Sequence, residues 1–235
     1  MEAFSAKTKE ISDIYIHASE LEINEIHVYS VDEKMGIQAR EHKNPSITMK
    51  EGCVERVDPE YIRHGTSGII ASRNVATGEI VAPMVQPTRT EEDYAKHISG
   101  VININPLGMH IFISDNLNTH KSESLVRIVA KIEGIPESEL GVKDRKGILK
   151  SQVSREMFLS DPAHRVRFVY TPKHCSWLNQ IECWFGIISK RLLNRRASFS
   201  SVANLEQRIM AFIDYYNQYL KKPFQWNYKG KLLKV

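Results

Sequence analysis

The chain has 235 residues, 42% of them hydrophobic and 26% charged; at ~100–200 residues per domain this is one large domain or one domain with appendages, and collagen, extended disorder and coiled-coil rods are excluded. No run approaches the ~18 uninterrupted apolar residues that a bilayer crossing needs, and the opening MEAFSAKTKEISDIY lacks the apolar core of a secretory signal, so a cytoplasmic location is expected. Lys plus Arg outnumber Asp plus Glu by 32 to 28, a net charge of +4 that by itself identifies no polyanionic partner.

Residues 4–21 carry Ile11, Ile14, Tyr15 and Leu21 near the helical period and predict an amphipathic helix. From Glu25 to Asp32 the alternation of Ile26, Val28 and Ser30 predicts a strand whose last residue is a carboxylate. Residues 40–64, with Pro45, Gly52 and Pro59, read as an irregular excursion from a sheet. Residues 68–75 and 79–85 then predict a hairpin turning at Gly78, with Pro83 favouring an edge or a strand end. Thr88 to Glu91 matches a capping box that opens a helix through about Ile98. MHIFIS at 109–114 is the near-continuous apolar run of a strand buried on both faces, and Asp115 follows it.

A helix is predicted over 121–133, closed by Gly134. Residues 134–165 are charged and loop-like, with one short helix around 152–159, and Val166–Tyr170 is a strand. A helix from about Trp177 to Leu193 aligns Leu178, Ile181, Phe185, Ile188 and Leu192 in one stripe, and a last helix covers about 201–220. Strands alternating with helices in the second half imply parallel pairs beside the antiparallel hairpin. The expected fold is α/β, a mixed central sheet with helices on both faces. Along the chain this gives an amino-terminal helix and linker at 1–24, a core at 25–220 and a basic tail at 221–235.

Sites in open α/β sheets form beyond the carboxyl ends of strands, where both Asp32 and Asp115 stand. Asp is common there as a turn or cap former, so neither residue is informative alone. Glu182 shifts the weight. It follows Ile181 at the border of the apolar stripe, among Trp177, Leu178, Trp184 and Phe185, where an unpaired carboxylate is costly. Three carboxylates drawn together repel unless a cation compensates. Hard Mg²⁺ suits such an all-oxygen set, and two ions ~3.5–4 Å apart serve an in-line phosphodiester displacement. Cys53, Cys175 and Cys183 form an odd set without a C-x-x-C pair, which argues for reduced structural thiols rather than disulfides or a zinc ribbon.

Lys190, Arg191, Arg195 and Arg196 lie past Glu182 on the same predicted helix, and phosphate contact weighs evenly there against a solvated face. The tail carries Lys221, Lys222, Lys229, Lys231 and Lys234 interleaved with Phe224, Trp226 and Tyr228, whose rings are expected to pack on the core.

V-D-E-K at 31–34, S-D-N-L-N-T-H at 114–120 and T-P-K-H-C-S-W-L-N-Q-I-E-C-W-F at 171–185 resemble the three catalytic segments of bacterial insertion-sequence transposases in the mariner-like superfamily of DDE enzymes. The third segment is highly specific, and the similarity runs over roughly residues 25–228. The resemblance implies a ribonuclease-H-like fold and a Mg²⁺ or Mn²⁺ site with Asp32, Asp115 and Glu182 as ligands. It further implies hydrolysis and strand transfer at transposon ends, DNA as partner, and a homodimer that pairs two ends. Asn116 and Asn179 are implied as supports for the ligands or contacts to DNA. His64, His120 and His174 are candidate donors behind the ligands, although for a lone His the ordinary surface or satisfied-core reading leads.

Asp115 and Glu182 stand 67 positions apart, about twice the spacing usual in the family, which makes 134–165 an insertion. Family members carry helix-turn-helix modules ahead of this core to read terminal inverted repeats. Here about 24 residues precede the first strand, so the expectation divides among a catalytic-domain fragment, a degenerate copy and a product that needs another polypeptide for sequence-specific binding. Two rival readings stay open: an inert remnant that only binds DNA or a partner, and a nuclease of the same fold acting on RNA–DNA hybrids or junctions.

Overall fold

The alternation of apolar residues that predicts the first strand does its work in a five-stranded sheet ordered β3-β2-β1-β4-β5. The computed structural model describes residues 2–229. In chain order the elements are α1 (Glu2–Ile16), α2 (Ala18–Ile23), β1 (Ile26–His42), β2 (Tyr61–Asn74), β3 (Ile80–Gln86), α3 (Glu91–Ile102) and β4 (Met109–Ser114). They continue as α4 (Glu123–Ile132), α5 (Glu137–Leu140), α6 (Gln152–Leu159), β5 (Val166–Tyr170), α7 (Ile181–Arg191) and α8 (Val202–Tyr215). The pairs β1/β2 and β2/β3 are antiparallel, whereas β1/β4 and β4/β5 are parallel, as the order of strands and helices predicts.

The two-residue period of the strands divides the core. Tyr29, Val31, Phe112 and Phe168 face one side, where Tyr94 and Ile98 of α3, Val126 and Val129 of α4 and Leu159 of α6 cover them. Ile69, Ala71 and Ile80 face the other, beneath Ile181, Trp184 and Ile188 of α7 and Leu205, Ile209 and Ile213 of α8. On that same side Val28, Ile113 and Val169 lie against Ile11, Ile14 and Tyr15 of α1. Each such fully buried side chain contributes roughly 1.5–3 kcal/mol, and helices on both faces are the result.

Four differences from the sequence reading have physical causes. The stretch 40–64 is irregular only between residues 43 and 60, since β1 runs on to His42 and β2 begins at Tyr61, and even there Ile47 pairs with Arg56 and Lys50 with Cys53 in isolated antiparallel bridges. The pairing of Arg40 with Arg63 and His42 with Tyr61 satisfies backbone groups without an apolar face, so no hydrophobic alternation marks this exposed arm. The cap of α3 is Thr90, which accepts from the Asp93 N–H while Asp93 accepts from the Thr90 N–H, two residues later than the box read at Thr88. Segment 134–165 holds α5 and a turn at Ile148–Lys150 in addition to α6. Finally, the helix predicted from Trp177 begins only at Ile181, because Asn179 is extended (ψ 105°) and its side chain is tied to β1.

The tail rings pack on the core as expected. Phe224 lies under the Arg73 guanidinium at 3.8 Å, Trp226 meets Tyr15 edge-on at 4.8 Å and Tyr228 meets Trp177 at 5.3 Å. Lys231 and Lys234 lie outside the described residues. Among the described residues no helix is long and apolar enough to cross a membrane.

Candidate metal centre

Parallel pairing of β1 with β4 sets two acidic residues side by side. Ser30 pairs with Ile113, so Asp32 on β1 and Asp115 just beyond β4 meet at the same edge of the sheet. One ligand atom each from Asp32, Asp115 and His120 lie within 4.8 Å of one another, and no other such metal-holding group of His, Cys, Asp or Glu occurs among the described residues. Cys53, Cys175 and Cys183 are free thiols.

Each member of the trio is held from a different element. Asp32 is only 8% exposed; its Oδ1 accepts the Glu33 N–H at 2.8 Å and its Oδ2 accepts from Asn179 Nδ2 at 3.1 Å. Asn179 also donates to the Val31 carbonyl at 3.0 Å and accepts from the Ser30 hydroxyl, which in turn accepts the Ile181 N–H at 2.8 Å. The first turn of α7 therefore lacks a cap of its own and is capped by β1. Asp115 accepts the Leu117 N–H at 3.0 Å, an Asx turn that aims the carboxylate at the strand ends.

His120 is fully buried, with the Tyr94 ring stacked on it at 4.1 Å. Its Nδ1 donates to Asp115 Oδ1 at 2.6 Å and its Nε2 donates to Glu33 Oε2 at 3.0 Å. Two carboxylate partners need two ring protons, so the ring is an imidazolium. Burial alone would lower its pKa, but the bonds to Asp115 and Glu33 prevail and push it up to about 9. Burial likewise opposes charge on Glu33 and Asp115, and His120 overrides it and holds both carboxyls below the usual range. Asp32 has no hydrogen bond to that ring, and the His120 charge nearby only partly offsets its surroundings. Burial first, then the neighbouring Asp115 charge, raise it to about 7.

This donor set fits a hard divalent cation. Asp32 and Asp115 offer carboxylate oxygens, and the repulsion that raises Asp32 is what a bound cation relieves. Both nitrogens of His120 are engaged, so it holds Asp115 rather than serving as a ligand. Beside Asp115 opens a cleft of about 530 Å³, lined by Asn116, Thr171, Lys173, His174 and Ser176. His174 holds the left-handed φ of 62°, unusual for a non-glycine, at this rim.

The structure treats the predicted residues unequally. Asp32, Asp115, His120 and Asn179 come together, and Asn116 bridges the Thr171 carbonyl and the Lys121 ammonium at the cleft. Glu182 opens α7 one turn beyond Asn179 but is exposed and outside the compact trio, not embedded among aromatics as the stripe suggested. Trp177, one of those neighbours, is itself 51% exposed. His64 lies on the hairpin arm and pairs with Glu41 at 2.7 Å. Lys190 and Arg191 close α7, whereas Arg195 and Arg196 follow it off the helix, and Arg196 pairs with Glu55 at 2.6 Å. Sequence reading missed Glu33 and Ser30. Their only signal is their position in β1, where alternation sends Glu33 to the α3 side and Ser30 with Asp32 to the α7 side.

Solved structures share this fold. A Mos1 mariner paired-end complex with Mn matches with a TM-score of 0.52 at 12% identity, over 96% of this chain and 58% of that one. The catalytic domain of Mos1 mariner transposase matches with a TM-score of 0.50 at 9% identity, over 93% of this chain and 83% of that one. The chain thus spans little more than half of the protein in the paired-end complex and most of the catalytic domain, the ribonuclease-H-like part. Among curated proteins nothing matches significantly. The family model described as DDE superfamily endonuclease matches residues 27–206, most of the chain and all three acidic segments, and the protein belongs to that family.

Proposed function

We propose that the chain is the catalytic part, residues 25–220, of an insertion-sequence transposase that cuts and joins DNA at transposon ends. The observation that supports it is the meeting of Asp32, inside β1, with Asp115, just past the end of the adjacent parallel strand β4, with His120 fixing Asp115. In this reading Asp32 and Asp115 hold Mg²⁺ or Mn²⁺, and Glu182, exposed at the start of α7, completes the set from the solvent side. Bound divalent ions, two in this proposal, supply an activated water or 3′-hydroxyl and shield the leaving oxygen.

The chain's own residues do the rest. Asn179 fixes the Asp32 carboxylate, and the His120 imidazolium keeps Asp115 ionised and oriented. Asn116, Lys173 and His174 line the cleft that receives the strand, and Lys190, Arg191, Arg195 and Arg196 hold its phosphates. Two copies pair two transposon ends.

The test incubates the purified chain, with helix-turn-helix modules supplied, with transposon-end duplexes and Mg²⁺ or Mn²⁺. Strand cleavage is expected on denaturing gels, and Asp115→Asn and Glu182→Gln are each expected to abolish it with unchanged circular dichroism. DNA binding without any metal-dependent cleavage would instead establish the inert remnant.

A further inference from the structure

Segment 134–165 has no counterpart in the usual spacing of the three acidic segments, yet its helix α6 is bonded to the loop that carries Asp115. Arg155, only 7% exposed, donates from Nε to the Lys121 carbonyl at 2.6 Å and from Nη1 to the Leu149 carbonyl at 3.0 Å. The next residue, Glu156, accepts from the Lys121 ammonium at 2.7 Å. One helix turn thus grips both the backbone and the side chain of Lys121.

Lys121 is itself almost wholly removed from water. Its side chain is buried, its ammonium lies 4.6 Å from the centre of the Tyr170 ring, and it donates to Asn116, the residue after Asp115. Asn116 donates onward to the Thr171 carbonyl, which closes the loop after β4 onto the loop after β5. Backbone support arrives at the adjacent residue as well, where the Tyr170 hydroxyl donates to the His120 carbonyl at 2.7 Å. The short segment 115–121 therefore has little freedom of its own and takes its position from α6 and β5 as well as from β1 and α3, through His120. A buried ammonium held by one carboxylate and one amide is costly unless both persist, so the grip is stiff.

We infer that Arg155 and Glu156 are positioning residues for Asp115, which makes the inserted segment part of the frame of the metal centre. The inference rests on the metal-holding role proposed for Asp115. α6 reaches the carboxylate through Lys121, Asn116 and the backbone between them.

The test uses the full chain and Mn²⁺ as the probe, reading Mn²⁺ affinity by electron paramagnetic resonance and the Mn²⁺ concentration for half-maximal DNA cleavage. Glu156→Gln and Arg155→Lys are each expected to weaken Mn²⁺ binding about ten-fold, in the range seen when supports of metal ligands are removed, and to raise the half-maximal concentration in step. Leu159→Ala, which loosens the packing of the same helix without touching Lys121, is expected to lower Tm and leave the Mn²⁺ affinity alone. Parent-like Mn²⁺ affinity in Glu156→Gln and Arg155→Lys overturns the inference while the metal reading stands. An equal loss in Leu159→Ala also overturns it, since any loosening of the helix would then suffice. A parent chain that binds no Mn²⁺ removes the metal reading and the inference together.

Discussion

His120 carries more of the site than its place in the sequence suggests. It neutralises Glu33, whose side chain is 2% exposed and whose Oε1 is buried without a partner, and it fixes Asp115. Removing it leaves Glu33 as an uncompensated buried charge, a loss of about 3–5 kcal/mol. His120→Ala is therefore expected to lower the unfolding free energy, measured by urea titration, by that amount, and adding Glu33→Gln to the same chain is expected to recover much of it. Two strictly additive losses would show that the pair does not interact. The two residues differ in legibility. His120 stands in a recognisable segment, whereas Glu33 looks like any surface glutamate until the fold places a ring against it.

At the scale of elements, one histidine adds buried hydrogen bonds to the apolar packing of α3 on the antiparallel half of the sheet. His97 is buried; its Nδ1 donates to the Ala82 carbonyl at 3.0 Å, which makes Nε2 the acceptor from the Ser72 hydroxyl at 2.8 Å. Burial pushes its pKa down to about 4, from an unfolded value near 6.5. Above pH ~6.5 both states are neutral and nothing is lost; as pH falls from ~6.5 to about 4 the unfolded chain takes up a proton that the folded chain refuses. Folding stability is expected to fall by about 3 kcal/mol over that window, and His97→Gln is expected to flatten the pH dependence of the urea midpoint. A second elemental contact is the β2–β3 turn, where Gly78 has φ 80° and an added Cβ would strike the Lys222 backbone. Gly78→Ala is expected to destabilise by more than about 1 kcal/mol and to release the tail, seen as a red shift of Trp226 fluorescence.

Across the whole molecule, the basic groups at the end of α7 and the acidic centre at the strand ends flank the long first strand. If duplex phosphates lie along Lys190 and Arg191, each contact releases counterions. Replacing both by Ala is expected to lower the slope of log K against log salt by about 2, measured by fluorescence anisotropy. An unchanged slope would return these residues to a solvated helix end. Arg196 is a poorer candidate than its neighbours, since its charge is already spent on Glu55 across the hairpin arm.

The sequence by itself determined the parts governed by local rules. Two-residue and helical periods located every strand of the sheet and most helices, and Asp115 was legible because a carboxylate after a buried strand marks the edge where α/β sheets place their sites, whereas Asp32, read as the last residue of its strand, lies inside β1, which runs on to His42. It could not show that residues 40–64 extend a hairpin, because backbone pairing leaves no side-chain pattern on an exposed arm. It also misread the start of α7, since the residue that ends the extended segment, Asn179, is fixed by bonds to Ser30, Val31 and Asp32, well over a hundred positions away. Tertiary structure alone decided that Glu182 faces solvent, that His120 is sandwiched between Asp115 and Glu33, and that α6 grips Lys121. Hydrophobic periods are written into neighbouring residues, whereas charge pairs and buried hydrogen bonds depend on which distant groups the packed core brings within ~3 Å.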